Sequence, residues 1–250
     1  MRHRTIIGKL AYLTDGVREE GREYFHITVQ SDGSRTLRAV CEMDNDALIR
    51  DVTYSLGPNW MPQECFVRLT QREKFVGSAL FRFFDDRIES DVQTVTEGRV
   101  RQVLPIDAPL PSFGAHPSCC DTWHAKAADL RRGDPSEYLL RTATSSPLPH
   151  GGSGPIASAV NVNVKYIGEE TITTPAGTFA TRHFEDWFLR RTPPPPPVVV
   201  WMTGEDAIPV RLRWDLLSQT YELVELKIIE GRDAGASADS LTRMAQFQKS

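Results

Sequence analysis

The chain has 250 residues, enough for one large β domain or two small ones, and its 40% hydrophobic and 25% charged content allows a sizeable core. A net charge of −4 and a pI near 5.9 exclude a dedicated nucleic-acid surface, which would show a basic footprint. No window approaches the roughly 18 consecutive apolar residues of a membrane-spanning helix.

The first stretch, MRHRTIIGKLAYLTDGVREE, opens with basic residues that imitate an export signal. Its apolar run is broken by Gly8, Lys9, Thr14 and Asp15, and no small-residue cleavage site follows. The expectation is a cytoplasmic protein whose four cysteines (Cys41, Cys65, Cys119 and Cys120) are free thiols.

A run of β-strands comes next. REYFHITV (22–29), the turn SDGS and RTLRAVCEM (35–43) read as a hairpin, because a Gly-containing loop separates two β-rich runs. Further strands are expected at 47–56, 64–71, 75–84, 87–96 and 99–106, joined by short polar connections. This spacing predicts an antiparallel meander. In ALFRFF, Ala79, Phe81 and Phe83 fall on one face and Leu80, Arg82 and Phe84 on the other. A sheet apolar on both faces must be covered on both or curl around something.

The middle changes character. DTWHAKAADLRRG (121–133) has good helix formers, Asp121 as N-cap, arginines in the last turn and a glycine after them, so a helix is expected there. TATSSPLPHGGSGP (142–155) reads as a loop and marks the one seam in the chain. Strands resume over 158–189, split by the turn TPAGT (174–178). The five prolines 193–197 form a stiff extended spacer, and three further β-rich runs follow, VVVWMTG, IPVRLRWDLL and TYELVELKII. In the second of these, Val210, Leu212 and Trp214 are expected to face one way and Arg211, Arg213 and Asp215 the other. GRDAGASA reads as a flexible linker and DSLTRMAQFQ as a short C-terminal helix. The organisation is therefore one domain over residues 1–232 with a flexible tail over 233–250. The fold class is mainly β: a curved antiparallel sheet forming a half-barrel or open barrel with one central helix.

The second half carries a resemblance. YIGEETITTPAGTFATRHF (166–184), VVVWMTGEDAIPVRLRWD (198–215) and YELVEL (221–226) resemble a bacterial family of uncharacterised half-barrel proteins, similar in fold to lipoprotein carriers and to the half-barrel enzyme of violacein biosynthesis. The resemblance covers about 60 residues in turns and strand pairing, and transfers no catalytic residue. It implies an open barrel wrapping an elongated apolar ligand.

The densest chemistry lies in HPSCCDTWH (116–124). His116, Cys119, Cys120 and His124 have zinc-capable side chains but lack the two separated ligand pairs of a structural site, so no metal is assigned. Cys119 or Cys120, just ahead of the expected helix, could be an activated thiolate with a histidine base, although Asp121 adds opposing charge. The favoured chemistry is acid–base, with His116 and His124 as proton carriers and Asp121 as the orienting carboxylate. A second group comes from TRHFEDWF, where Thr181, His183, Glu185 and Trp187 share one strand face and could form a pocket wall. Arg211 and Arg213 could pair there with Glu185 or Asp186, or make a plain cross-strand salt bridge on a solvated face. The aromatics Trp60, Trp123, Trp187, Trp201, Trp214, Phe81, Phe83 and Phe113 would line a cavity or simply fill a core.

The sequence thus leads to a cofactor-independent enzyme acting on an apolar or aromatic small molecule by acid–base chemistry of the isomerase, lyase or hydratase kind. His116, Asp121 and His124 are its catalytic candidates. His183, Glu185, Trp123, Trp187 and Arg213 are its substrate-binding candidates. A non-catalytic carrier of a hydrophobic small molecule is the alternative, and an interaction protein with a filled core the third reading. No nucleotide or hydrolase motif is present in the sequence. The expected partner is a hydrophobic small molecule, without membrane insertion, and a homodimer is left open.

Overall fold

The computed structural model describes residues 3–131, 137–148, 151–190 and 192–231. The described residues form a single fifteen-stranded sheet. Its first half is a meander of eight antiparallel strands: β1 (Arg4–Thr14), β2 (Arg18–Val29), β3 (Arg35–Met43), β4 (Leu48–Leu56), β5 (Pro62–Gln71), β6 (Lys74–Phe83), β7 (Arg87–Thr94) and β8 (Gly98–Pro105). The short β9 (Phe113–Gly114) and the helix α1 (Ser118–Asp129) lead into β10 (Glu137–Thr144). A second meander then runs through β11 (Ser158–Thr174), β12 (Gly177–Phe188), β13 (Val198–Thr203), β14 (Ile208–Trp214) and β15 (Gln219–Glu230). β15 pairs antiparallel with β1, so the chain's first and last strands meet in the middle of the sheet, and β8 and β9 are left as its edges.

Alternation explains the strands. In β4, Leu48, Arg50, Val52, Tyr54 and Leu56 are buried, while Ile49 and Thr53 are exposed. The β2–β3 hairpin turns at Gly33, whose φ of +91° is open to glycine at no steric cost. The curl nearly closes. Gln102 on edge strand β8 donates from Nε2 to the Ala157 carbonyl at 2.8 Å and accepts from the Ala157 N–H at 3.0 Å. This pins the free edge to the segment just before β11, a way of covering otherwise unpaired backbone.

Two bodies fill the concave side. One is an aromatic cluster in which Phe113 meets Phe83 at 4.8 Å, Phe81 at 5.1 Å and Tyr54 at 6.3 Å between ring centroids. Tyr54 and Trp60 in turn pack on Trp123 of α1 at 5.4 and 6.1 Å. The other is α1 itself, which lies against β9 to β14. The Arg182–Asp129 ion pair and a 2.7 Å hydrogen bond from Thr122 Oγ1 to the Ala207 carbonyl hold it there.

The structure moves several expected features. The helix starts at Ser118 rather than at Asp121, with Pro117 at the N-cap position and no local side-chain cap. Glu23 of β2 supplies the missing acceptor, taking the Ser118 N–H at 2.8 Å, so the helix start is set by a partner distant in sequence. Residues 142–144 belong to β10 rather than to a loop. A bulge where β14 passes Trp201 and Met202 puts Val210 into an outer cluster with Ile172, Val199 and Trp201, away from Leu212 in the main core. The expected tail over 233–250, with its linker and helix, lies outside the described residues. Among the described residues no helix is long and apolar enough to cross a membrane.

Candidate functional site

The remaining concave space is a cavity of about 340 Å³. Its apolar wall is built by Tyr12 of β1, Met43 of β3, Phe188 of β12, Val198 of β13, Trp214 of β14 and Tyr221 of β15, with Pro195, Pro196, Leu216 and Leu217 from the connections. The exposed residues Asn45, Asp46 and Leu216 mark its mouth. Tyr12 and Tyr221 meet edge to face at 4.7 Å. The five-proline stretch is thus more than a spacer, since two of its rings form part of the wall.

Polar groups make up the rest of the lining, among them the acids Glu20 and Asp46. His116 and Asp121 line it, as does His124 from the inner face of α1. Arg50 enters from β4 and Arg190 from the end of β12. His124 is fully buried, and Ser112 Oγ lies 2.7 Å from its Nδ1. Burial lowers its pKa to about 4, so the ring is neutral near pH 7, and its buried Nε2 has no hydrogen-bond partner among the described residues. Gly114 lets the chain pass this ring, because a Cβ there would lie 3.1 Å from Nε2 and 2.8 Å from Thr144 Cγ2. His116 adopts φ +77°, an uncommon backbone for a residue with a side chain.

Three carboxyl groups lie close by, Asp121 in the wall and Glu23 and Asp186 beneath it. Glu23 accepts from the Tyr12 hydroxyl at 2.9 Å as well as from Ser118. Burial raises its pKa, against the lowering effect of those hydrogen bonds. Asp121 is raised by burial and then by Glu23; Asp186 is raised by burial and then by Asp121. Asp186 is completely buried, and among the described residues neither of its carboxyl oxygens has a hydrogen-bond partner. A buried carboxyl without a cation keeps its proton to higher pH.

The expected site residues divide. His116, Asp121 and His124 come together at the cavity. His183, Glu185 and Trp187 do not, because β12 turns the opposite face inward: Phe184 and Asp186 are buried in the core and Phe188 lines the cavity. His183 instead stacks on Trp201, with centroids 4.6 Å apart, and its Nδ1 lies 3.7 Å from Glu170. His116 and His183 therefore do not face one space. Arg213 is exposed and pairs with Asp215 at 3.1 Å, and Arg211 pairs with Glu222, so neither reaches Glu185 or Asp186. Trp123 is packed between Tyr54 and Trp60 rather than in the cavity wall. Of the expected cavity aromatics, Trp214 lines it, and Phe81, Phe83 and Phe113 fill core instead.

The sequence reading missed Arg50 and Glu23, and took Asp186 for a salt-bridge partner of Arg211 or Arg213. Each sits at an inward position of a strand whose neighbours on that face are apolar: Leu48 and Val52 beside Arg50, Gly21 and Phe25 beside Glu23, Phe184 and Phe188 beside Asp186. A charge in the apolar register was the available signal.

The thiols are not poised for chemistry. All four cysteines are free and buried, with Cys119 and Cys120 inside the first turn of α1. Burial is the largest influence on each thiol and raises its pKa. The folded protein is expected to resist Ellman's reagent and to release four thiols after denaturation; rapid labelling of the native state would contradict this burial. Among the described residues no group of three or more His, Cys, Asp or Glu side chains has a metal-holding arrangement.

With this geometry in hand, the fold can be compared. It is similar to a β-barrel-like protein of a domain of unknown function, DUF1849, from Brucella abortus. That likeness has a TM-score of 0.57 at 11% identity and covers 91% of this chain and 98% of the other. A DUF1089 family protein from Pseudomonas aeruginosa gives a TM-score of 0.46 at 10% identity, over 75% of this chain and 87% of that one. No protein-family model and no curated protein matches the sequence. At such identity the first likeness speaks for the barrel-like fold alone.

Proposed function

We propose that the protein is a single-domain binder of an apolar small molecule, held in the cavity between α1 and strands β1, β3 and β12 to β15. The observation that carries this reading is the cavity itself: about 340 Å³, with the larger part of its surface apolar and a continuous aromatic and aliphatic wall beside the polar residues that complete the lining. Small-molecule sites have this size and this balance. The resemblance of the second half to a family of uncharacterised half-barrel proteins agrees with such a role, and so does the aromatic cluster, which fills one side of the concavity and leaves the other open.

The test uses N-phenyl-1-naphthylamine, a neutral apolar probe whose fluorescence rises out of water. The full chain is expected to bind it saturably. Leu217→Trp, which enlarges a partly exposed side chain at the wall, is expected to weaken binding at least about tenfold with thermal stability nearly unchanged. Absence of saturable binding, or full binding by a stable Leu217→Trp variant, would contradict the reading.

A second reading, acid–base catalysis on the bound molecule, is favoured by one observation, that His116, Asp121 and His124 line this same cavity. In it the neutral His124 accepts a proton at Nε2 when Nδ1 donates to Ser112. Loss of turnover with retained probe binding in His124→Gln is the result it requires.

A further inference from the structure

Arg50 is a buried cation in the cavity wall. It projects from the middle of the sheet, opposite Cys41 of β3 and Leu69 of β5, and is fully buried. Its Nη1 donates to the Ala115 carbonyl at 3.2 Å and to Ser145 Oγ at 3.3 Å. Among the described residues its Nε and Nη2 have no hydrogen-bond partner and it makes no ion pair. Burial brings its pKa down to about 10, which leaves it charged near pH 7. The groups closest to it electrostatically are Cys41, Cys65, Cys120 and Tyr12, all of which burial holds protonated, so none supplies a negative charge. A buried cation without an anion is strongly unfavourable in a folded protein.

The free atoms have a shape. Nε–H and the Nη2 amino group lie side by side along one edge of the guanidinium plane, the edge that takes a carboxylate through two parallel hydrogen bonds. Gly151 packs directly against the guanidinium, where a Cβ would fall 2.3 Å from Nη2 and 2.8 Å from His116 Cδ2, so a carboxylate reaches that edge only where no side chain stands at 151. The φ of Gly151 is +68°, so a side chain there is disfavoured twice over.

We propose that Arg50 receives the carboxylate of the bound molecule, so that the ligand is a monocarboxylate with an apolar body, its acid group at the guanidinium and its chain against Tyr12, Tyr221 and Phe188. This rests on the cavity reading above and narrows it to a ligand class. The apolar wall holds the body, and the ion pair fixes which end goes in first.

The experiment displaces N-phenyl-1-naphthylamine from the full chain with decanoate and with decan-1-ol, which share an apolar body and differ at the head. Decanoate is expected to displace the probe at about 10- to 100-fold lower concentration, the worth of a charge-assisted hydrogen-bond pair. In Arg50→Met the two are expected to become equal, while the probe still binds. Equal displacement by both compounds in the unsubstituted protein, failure of both to displace a bound probe, or a preference for decanoate that survives in Arg50→Met would each overturn the assignment and leave the cavity reading standing. Failure of the probe itself to bind would remove the cavity reading and this inference with it. The comparison in the unsubstituted protein stands even if Arg50→Met does not fold.

Discussion

Phe113→Ala is expected to destabilise the protein by about 3–5 kcal/mol, the usual cost of emptying a large aromatic site in a packed core. For a chain of this size that lowers Tm by roughly 6–20 °C. Phe113 is 1% exposed and is the hub that joins Phe81, Phe83 and Tyr54, so no neighbour can close over the space without leaving its own contacts. The effect reaches the site, because Phe113 and Gly114 form the short strand that leads to Ala115 and His116. Urea unfolding followed by tryptophan fluorescence measures the loss. A cost below about 1 kcal/mol would mean that the cluster is loosely packed and the cavity wall poorly defined.

Asp186→Asn is expected to change the dependence of stability on pH. The Asp186 carboxyl, raised by burial and by Asp121, keeps its proton in the folded state at pH values where the unfolded chain, titrating near 4, has lost it. Between those two pKa values the native state binds more protons than the unfolded one, so stability falls as pH rises, by up to about 1.4 kcal/mol per pH unit. Asparagine cannot ionise and removes this slope. The variant should therefore gain on the parent protein between about pH 5 and pH 8, as read by urea unfolding at both. A difference that stays constant with pH would show that Asp186 is ionised in the fold and has a cationic partner. Glu23 and Asp121 act in the same direction as Asp186. His124 acts oppositely: its folded pKa of about 4 lies below the unfolded value near 6.5, so its contribution is present above 6.5 and is lost as pH falls toward 4. The protein should thus be limited by His124 on the acid side and by its buried carboxyls on the alkaline side.

The strands were the readable part of this sequence, because a half-buried strand announces itself by alternation. β3 runs over the expected residues 35–43, and most other strands differ by a few residues at their ends. β1 is hidden because RTIIGKLAYLT imitates an export signal, although Ile6, Gly8, Leu10 and Tyr12 share a buried face and Ile7 and Lys9 lie between them on the other. The start of α1 was not readable locally at all: its acceptor, Glu23, comes from a strand 95 residues earlier. The inward face of β12 was misjudged on Trp187, when Phe184 and Phe188 mark the core face and carry Asp186 in with them.

Arg50 teaches the same lesson in reverse. Its strand is legible, but an arginine between Leu48 and Val52 carries no signal of its role, and only the three-dimensional structure shows that no anion pairs with it among the described residues. His116, Asp121 and His124 were found because they are close in sequence. Their companions at the cavity, from β1, β4, β12, β14 and β15, are brought in by the closure of β15 on β1, which no local pattern encodes.

The most direct test of the account is a crystal structure of the full chain grown with 10-bromodecanoate, its bromine located by anomalous scattering. The account predicts one bromine peak inside the cavity, against the wall formed by Phe188, Val198, Trp214 and Tyr221, with the carboxylate at Nε and Nη2 of Arg50. A cavity left without ligand at a saturating concentration, or bromine found only on the outer face of the sheet, would contradict it.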